Sequence, residues 1–389
     1  MPTASPTSPS YHRRTLALHR RTLALHRRTL APHRRTLATA LAAALLAVTA
    51  LAADAVPAAA APTLVIAGAG WGHGVGMSQE GALGYAEHGY TYQAILAHYY
   101  TGTALEKVSP RTKVTVLIGA KVHTLPLETY VRGVVGAEMP SSWPLAALEA
   151  QAVASRTYAL TDHAGGARFD VYADTRSQVY LGARAHTAQT NTAVAATAGE
   201  VVSYAGRPAI TYFFASSGGM TESAQNAFAG AAPQPWLRGV PDPFDQGEGH
   251  RWRLTMSFTA AAARLRGLVK GAFRGIEVLR RGYSPRIISA CVLGSHGNTT
   301  VSGVELEERL GLDDTWAYFS VRTAHGTVAE PDLSHYTAPT GVAPEVTSPE
   351  TGTPPAEPAP PATPPAGVEG GTTAGSTPTA GEGGGTTPP

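Results

Sequence analysis

Glu138 has the sequence surroundings that a catalytic acid needs. Its neighbours along the chain are largely apolar and include Val134, Val135, Met139 and Trp143. Burial among such residues penalises the charged form of a carboxyl group and therefore raises its pKa. A carboxyl group that is still protonated near neutral pH can donate a proton to a glycosidic oxygen. The residues alone also allow a structural role, in which Glu138 caps a helix or pairs with Arg132 or Arg156.

A second candidate element is the run Gly-Trp-Gly-His-Gly-Val-Gly-Met-Ser-Gln at residues 70–79. Four glycines alternate with other residues in this run, and glycine adopts backbone angles that are closed to side-chain-bearing residues. Such a loop can press its main chain against a ligand. The side chains of His73, Ser78 and Gln79 are the candidate contacts.

The third candidate is the turn Ser216-Ser217-Gly218-Gly219, which follows the β-branched and aromatic residues 209–214. This pattern predicts a buried strand that runs into a tight turn. Hydroxyl groups and free backbone N–H groups there can hold the oxygen-rich face of a sugar, although an ordinary turn has the same composition. Ser217 is a weak candidate nucleophile, because no Gly-x-Ser-x-Gly motif is present.

A helix must position several of these groups. Pro144 suits a first helical turn, and the alanine-rich residues 145–160 have high helix propensity. Gln151, Ser155 and Tyr158 then lie on one face of the helix, with Arg156 beside them. An adjacent apolar stripe, predicted to pack into the core, contains Leu145, Leu148 and Ala152.

The two ends of the chain are predicted to lie outside the folded part. Residues 12–38 repeat His-Arg-Arg-Thr-Leu-Ala every seven residues, and residues 37–53 form an uncharged run rich in Ala and Leu. With the small-residue site Ala53-Asp54-Ala55, residues 1–55 predict a basic leader and a secretory signal peptide, or else an uncleaved membrane anchor. Residues 337–389 are rich in Pro, Gly, Thr, Ala and Glu and predict a disordered tail.

Charge and cysteine content narrow the function classes. Residues 1–55 hold eight arginines and one aspartate, so without them the formal net charge falls from +2 to about −5. The basic character therefore belongs to the leader, and a nucleic-acid partner is not expected. A single cysteine, Cys291, excludes an intramolecular disulfide, so the secreted domain must be stabilised by its core.

Three motifs together resemble the SpoIID/LytB family of bacterial cell-wall proteins. They are the Gly-His-Gly-Val-Gly-Met-Ser-Gln run, the stretch Glu138-Met-Pro with Trp143 and Glu-Ala-Gln-Ala-Val-Ala-Ser-Arg-Thr-Tyr158, and the Ser-Gly-Gly-x-Thr turn at 217–221. The resemblance covers about residues 64–322 and implies that Glu138 is the catalytic acid. The groups expected to bind substrate are His73, Ser78, Gln79, Gln151, Arg156, Tyr158, Ser216, Ser217 and Gly218. Glu149 stands where the family usually has a lysine.

The order of the motifs departs from that of the family. The unit from Gly70 to Thr103 normally closes the domain, whereas here it comes first, which indicates a circular permutation. We expect one α+β domain over residues 63–325, with residues 63–105 as the permuted unit, 106–325 as its core, and two lobes around a groove. If so, His73 should lie across that groove from Glu138.

The resemblance implies a peptidoglycan lytic transglycosylase that cuts between N-acetylmuramic acid and N-acetylglucosamine and leaves 1,6-anhydro ends. No metal or cofactor is expected, because the stretch after the helix carries no Cys or His and His73, His88 and His98 lack ligand spacing. Lysozyme-like hydrolysis is the near alternative and needs a second carboxylate, for which Asp174, Glu222 and Asp242 are candidates. Two non-enzymatic alternatives are a wall-binding protein that enhances a cell-wall amidase and a purely structural wall protein.

Overall fold

The computed structural model describes residues 61–323 and 326–327. The predicted leader and signal peptide at 1–55 and the predicted tail at 337–389 lie outside the described residues. Within them, no helix is both long and apolar enough to cross a lipid bilayer.

The described residues contain helices and small sheets whose strands pair mostly in antiparallel, which confirms the predicted α+β class. The helices are α1 (Gln79–Glu87), α2 (Tyr92–Tyr99), α3 (Leu127–Glu138), α4 (Leu145–Thr161), α5 (Ala188–Ala196), α6 (Ala224–Ala227), α7 (Phe258–Arg264) and α8 (Gly303–Leu310). The strands are β1 (Thr63–Ala69), β2 (Met77–Ser78), β3 (Ala104–Lys107), β4 (Lys113–Ile118), β5 (Lys121–Pro126), β6 (Val171–Tyr172), β7 (Glu200–Tyr204), β8 (Arg207–Pro208), β9 (Phe213–Phe214), β10 (Arg251–Ser257), β11 (Phe273–Arg281), β12 (Ile287–Gly294), β13 (Gly297–Ser302), β14 (Ala317–Thr323) and β15 (Gly326–Thr327).

The strands form small sheets that are mostly antiparallel. The largest has the order β10-β1-β14-β15, so the first strand lies between two of the last. Three-stranded sheets have the orders β11-β12-β13, β3-β7-β8 and β5-β4-β6, and β2 pairs with β9 alone. Parallel pairing occurs between β2 and β9 and between β4 and β6.

The helix predicted after Pro144 is α4, and it is buried on nearly every side. Its small residues allow this, because Ala147, Ala150, Ala152, Ala154 and Ala159 are all fully buried and let neighbouring elements approach closely. Leu148 packs in the core as predicted. Leu145 does not, since it is 38% exposed at the first turn. A helix surrounded by protein has no single apolar stripe. The prediction that Leu145 packs into the core as part of such a stripe was therefore wrong.

Helix α3 precedes α4 and ends on Glu138. Two of its residues are glycines because the chain returns very close to them. A Cβ on Gly133 would lie 2.4 Å from the Tyr180 ring, and one on Gly136 would lie 2.0 Å from the Ala185 carbonyl oxygen. Glycine lowers the helix propensity of α3, but it is required here because any side chain would prevent the close contact with residues 180–185.

The apolar side chains form two main clusters among the described residues. The larger surrounds α3 and α4 and includes side chains from the first strand-and-helix unit, such as Met77, Ile95 and Leu96. The other is built on the face of β1 that carries Leu64 and Ile66, together with β12, α7 and α8. Residues 63–105 thus contribute to both clusters.

The strand predicted at 209–214 is shorter than expected. Only Phe213–Phe214 is a strand, and it pairs in parallel with Met77–Ser78 of the glycine-rich run. Trp71, earlier in the same run, forms an isolated antiparallel bridge with Ser216 just beyond this strand. The predicted tight turn is present, with φ of 69° at Gly218 and 106° at Gly219.

Candidate functional site

Glu138 stands at the carboxyl-terminal end of α3, partly buried beside α4. Burial raises its pKa to about 7, as its apolar neighbours predict, and hydrogen bonds from Val179 and Gln79 only partly oppose this rise. The free carbonyl groups at a helix carboxyl terminus further disfavour a negative charge. A carboxyl group with this pKa can be protonated and deprotonated within one catalytic cycle near neutral pH.

The carboxyl group is held by neutral donors. The backbone N–H of Val179 donates to Oε1 at 2.5 Å, and the Gln79 amide donates to Oε2 at 3.5 Å. The alternative of an ion pair with Arg156 does not hold, because Arg156 binds Glu128 instead. Arg132 donates to Thr129. Glu138 therefore lacks, among the contacts that the structure describes, the cationic partner that would keep it ionised.

Gln79 links the glycine-rich run to Glu138. Ser78 caps α1 by accepting a hydrogen bond from the Gly81 N–H, and this cap directs Gln79, the first residue of the helix, inward. The Gln79 amide also donates to Gln151 Oε1 at 3.4 Å, and Gln151 donates to Ser155 Oγ at 2.9 Å. Gln79, which precedes Glu138 by 59 positions and Gln151 by 72, thus joins them and Ser155 in one polar chain that ends at the carboxyl group.

The alternating glycines are required by the backbone of the run. All four have positive φ, between 78° and 109°. A Cβ on Gly76 would lie 2.1 Å from the Tyr212 carbonyl oxygen, so the fourth glycine is also needed for close approach. The run is pinned by paired backbone hydrogen bonds between Trp71 and Ser216 and by the Glu222 N–H bonded to the Gly74 carbonyl.

His73 lies in an aromatic cluster. Its ring centroid is 5.9 Å from Tyr212, 5.4 Å from Phe214 and 5.3 Å from Phe228. Burial and the nearby Arg286 guanidinium lower its pKa to about 4, and the Val75 N–H donates to its Nδ1. His73 is therefore a neutral ring. Its contacts among the described residues do not include Glu138, and Tyr212 stands between it and Tyr158 on α4.

The serine groups of the predicted binding set surround a buried aspartate, Asp245, rather than Glu138. Ser78 Oγ donates to Asp245 at 2.8 Å, Ser216 Oγ donates at 3.0 Å, and the Ser217 N–H donates as well. Burial disfavours the charge on Asp245, but these hydrogen bonds and one from His250 outweigh it and lower its pKa. Ser216 and Ser217 are fully buried, and Gly218 is buried beside Ala69. The contacts describe a structural role for this group instead of the predicted contact with substrate.

Arg156 also has a structural role. It is fully buried, and its guanidinium forms a two-pronged ion pair with Glu128, with both distances at 2.8 Å. A further N–H donates to the Glu200 carbonyl at 2.9 Å. Arg156 thereby ties α4 to α3 and β7, and this assignment replaces the substrate contact predicted for it.

None of the three candidate second carboxylates makes a described contact with Glu138. Asp174 is exposed and pairs with Arg176. Glu222 is buried and accepts hydrogen bonds from Ser223, Asn226, Tyr283 and Ser284. Burial and the neighbouring Asp245 charge raise the Asp242 pKa to about 8, so this carboxyl is neutral. In the described part of the chain, no group of three or more His, Cys, Asp or Glu side chains is arranged to hold a metal ion.

Comparison with known proteins relates this site to a family. A family model described as Stage II sporulation protein (SpoIID) matches residues 119–204, which include α3, Glu138 and α4. The Stage II sporulation protein D of Bacillus subtilis is 29% identical over 211 residues. These matches support a relationship to the SpoIID/LytB family for the segment that contains the site.

Two further relatives extend this comparison. An uncharacterised protein of Brachyspira hyodysenteriae is 35% identical over 187 residues, and the amidase enhancer of Bacillus subtilis is 38% identical over 127 residues. The alignments cover 47%, 49% and 33% of this chain for the Brachyspira protein, the sporulation protein and the amidase enhancer. They cover 48%, 60% and 17% of the relatives in the same order, so the chain spans at most three fifths of any of them.

The SpoIID-matching segment also contains site residues that the sequence did not single out. Val179 bonds Glu138 through its backbone, Gln178 is buried and donates to the Ser155 carbonyl at 3.1 Å, and Ser177 bonds Asp162. The sequence cannot identify the Val179 donor, because every residue except proline has a backbone N–H group. Asp162, however, continues the face of α4 that carries Gln151, Ser155 and Tyr158, and this spacing could have identified it.

Proposed function

We propose that this protein is a peptidoglycan lytic transglycosylase in which Glu138 is the single acid and base. The observation that carries the proposal is the Glu138 carboxyl group, with a pKa raised to about 7 and neutral hydrogen-bond partners. The relationship to this family supports it, since relatives are named for sporulation and for enhancing an amidase. A role at the bacterial cell wall follows as the coarser part of the same proposal.

In the first step, protonated Glu138 donates its proton to the oxygen that joins C1 of N-acetylmuramic acid to N-acetylglucosamine. The C1–O bond breaks, the glucosamine leaves with a 4-hydroxyl, and positive charge develops on the muramic acid ring. In the second step, the muramic acid 6-hydroxyl oxygen bonds to C1 and gives its proton to the Glu138 carboxylate. The product is a 1,6-anhydro ring, and the carboxyl group returns to its starting form without consumption of water.

This route needs one carboxyl group, whereas most glycosidases need two. Asp174 and Glu222 bind other groups, and Asp242 is buried and neutral, which favours the transglycosylase over lysozyme-like hydrolysis. Gln79 and Gln151 are the polar groups next to Glu138 and would orient the sugar at the cleaved bond.

An aromatic wall supports a longer glycan-binding surface. Tyr158 lies seven residues after Gln151 on α4, about 10 Å along the helix axis. Its ring is buried and contacts Tyr212, which in turn contacts His73 and Phe228; these last three rings are partly exposed. We assign this wall, with His73 as one member, to sugar rings on one side of the cleaved bond.

The test is digestion of purified glycan strands and intact sacculi by the parent and by Glu138→Gln, with products analysed by mass. The expected result is anhydro-muramic ends from the parent and none from the variant. Reducing muramic ends from the parent would indicate hydrolysis instead. No cleavage by the parent on either substrate would overturn an enzymatic role.

A second candidate is a non-enzymatic wall-binding protein that enhances a cell-wall amidase. It is favoured by the relative named amidase enhancer, 38% identical over 127 residues. Glu138→Gln separates the two, because an enhancer does not need the acid. If the variant stimulates an added amidase on sacculi as strongly as the parent does, this second function holds.

We also propose that residues 63–105 are the family's closing unit, moved to the front by circular permutation. The support is that β1 lies between β10 and β14, and that Thr63 is the register partner of Arg322. A short turn from the end of β14 to the start of β1 would restore the usual order. The export signal expected at 1–55 completes the proposal of an extracytoplasmic, wall-associated protein.

A further inference from the structure

The backbone group that binds Glu138 belongs to a segment with little regular structure. We name residues 172–182 the clasp segment; it runs from the end of β6 to the start of a short 3₁₀ turn. Its Val179 N–H donates to Glu138 Oε1 at 2.5 Å, the shortest hydrogen bond that the carboxyl group makes among the described residues. The position of this N–H therefore depends on what fixes the clasp segment.

Two side chains of the clasp segment, both just before Val179 along the chain, fasten it to the face of α4 and its carboxyl-terminal cap. Gln178 is 1% exposed and donates to the Ser155 carbonyl at 3.1 Å. Ser177 Oγ donates to Asp162 Oδ2 at 2.6 Å and accepts a hydrogen bond from the Tyr172 N–H at 3.1 Å. The two α4 anchor points are seven residues apart, two turns of the helix.

The other side of the clasp segment lies against α3. The Tyr180 ring stacks on Tyr130, with centroids 5.2 Å apart and an interplanar angle of 19°. The Leu181 N–H donates to the Gly133 carbonyl at 3.0 Å. These contacts fix the carboxyl-terminal half of the segment, and the Ser177–Asp162 and Gln178–Ser155 bonds fix the half that precedes Val179.

We propose that Ser177 and Asp162 are positioning residues for Glu138, acting through the Val179 N–H. Their hydrogen bond keeps the clasp segment in the register that places this N–H on the carboxyl group. The inference rests on the proposed function for its catalytic meaning, but the positioning itself can be measured without substrate. Neither residue touches Glu138 in the described contacts, so neither is assigned a direct chemical role.

The groups that act on Glu138 and Asp162 are few. Gln79 from α1 and the Val179 N–H face Glu138. The negative charge of Glu138 contributes to the raised pKa of Tyr130 on α3. Tyr158 and Ser177 face Asp162, whose charge also reaches Tyr130 and Tyr212. Burial holds the pKa of Tyr130 and Tyr158 well above the ordinary tyrosine value, so these hydroxyls stay neutral. Burial also raises the pKa of Glu80 to about 7 and of Asp242 to about 8, so a change near neutrality must be measured on the Glu138 carboxyl group itself.

The experiment compares the full-length parent with Ser177→Ala, Asp162→Ala and the double variant. Amide hydrogen exchange reports the Val179 N–H, and ¹³C NMR of labelled glutamate reports the titration of Glu138, assigned by its loss in Glu138→Gln. Arg176→Ala is the matched control, since Arg176 lies in the clasp segment and its described contacts are with Asp174 and Tyr172. Ser177→Thr keeps the hydroxyl group and is the rescue variant.

We expect Ser177→Ala to accelerate Val179 exchange about tenfold. The Glu138 pKa should rise by about half a unit to one unit, because the lost hydrogen bond favoured the charged form. Asp162→Ala should have the same effect, the double variant should add little to either, and Ser177→Thr and Arg176→Ala should match the parent.

Unchanged Val179 exchange and an unchanged Glu138 pKa in Ser177→Ala would overturn the proposal. So would a fall in the Glu138 pKa, which would mean that the clasp segment acts by excluding water. If the parent cuts no glycan while both quantities shift as expected, the proposed function fails and the positioning stands. If the parent cuts glycan but neither the Val179 exchange rate nor the Glu138 pKa shifts in the variants, the proposed function stands and the positioning role fails.

Discussion

At the scale of single residues, Glu138 combines two demands that oppose each other. A buried carboxyl group is expensive to ionise, yet the proposed second step requires a carboxylate. A pKa of about 7 serves both steps, because either form costs little near neutral pH.

This pKa predicts the pH dependence of cleavage. Protonated Glu138 is the form that starts the reaction, so the rate on purified glycan should be level below about pH 6. It should fall about tenfold per unit once the pH is well above 7, because each unit removes nine tenths of the remaining protonated form. Initial rates between pH 5 and 9 test this. A rate that rises through this range would contradict the acid role.

The same pKa predicts that Glu138→Gln stabilises the protein at alkaline pH. The folded-state pKa of about 7 lies above the ordinary value of 4.5, so the folded form binds more protons. Its contribution is favourable below pH 4.5 and is lost as the pH rises through 7. At pH 8 the neutral amide should therefore raise the free energy of unfolding by up to about 3 kcal/mol, with little difference at pH 4.

Urea denaturation of the parent and Glu138→Gln at both pH values provides the measurement. Glu305→Gln is a suitable control, because Glu305 is a surface residue of α8 in an i,i+4 pair with Arg309. Equal stability of Glu138→Gln and the parent at pH 8 would mean that Glu138 is not desolvated in solution.

Much of the residue-level prediction could be made from the sequence, because apolar neighbours and side-chain spacing are written in it. The raised pKa of Glu138 and the shared face of Gln151, Ser155 and Tyr158 followed in this way. The buried roles of Arg156, Ser216 and Ser217 did not. Each depends on a distant partner, Glu128 or Asp245, that the spacing of residues along the chain does not reveal.

At the scale of helices and strands, the central feature is how closely α3 and residues 180–185 approach each other. The sequence predicted α4 from its alanine content but gave no reason for two glycines in the stretch before Glu138. The reason is contact: Gly133 faces Tyr180 and Gly136 faces the Ala185 backbone. Tertiary contact overrides helix propensity here, and only the folded arrangement explains it.

Gly136→Ala tests this close approach. In an open helix the change should stabilise by up to about 1 kcal/mol. Here the new Cβ would lie 2.0 Å from a backbone oxygen that cannot rotate away, so we expect a net loss of about 1–3 kcal/mol. Urea denaturation measures the change, and Ala195→Gly at an exposed position of α5 gives the propensity effect alone. A more stable Gly136→Ala would contradict the contact.

At the scale of the whole molecule, the order of elements in the chain differs from their order in space. β1 comes first among the described strands, but it pairs with β10 and β14, which come near the end. The sequence motifs, through the family resemblance that they carry, implied the α+β class. They could not predict which strands pair, because pairing between distant segments is set by shape and register rather than by local pattern.

A rearranged chain tests the permutation. It begins at Ala104 and, after Thr323, continues through a short turn into Pro62–Thr103. Because Thr63 and Arg322 are register partners in neighbouring antiparallel strands, we expect this chain to fold and to keep the parent's cleavage rate within a few fold. Circular dichroism, thermal unfolding and product analysis provide the measurements.

The control for that experiment is a chain that begins at Ala104 and lacks the moved unit. It should not fold, because β1 would be missing from the middle of its sheet and Gln79 from Glu138. If the truncated chain folds and cleaves glycan like the parent, residues 62–103 are an accessory rather than part of the domain.

The central position of β1 also determines when its sheet can form during synthesis of the chain. β1, the first of the described strands to be synthesised, stays unpaired on both edges until residues 251–257 and then 317–323 have been made. Pairing between segments so far apart is slow to form, so the sheet is completed only near the end of synthesis. A chain that stops early leaves this sheet incomplete and its first strand exposed. Any cleavage of the cell wall would then require a chain that has been synthesised through β14.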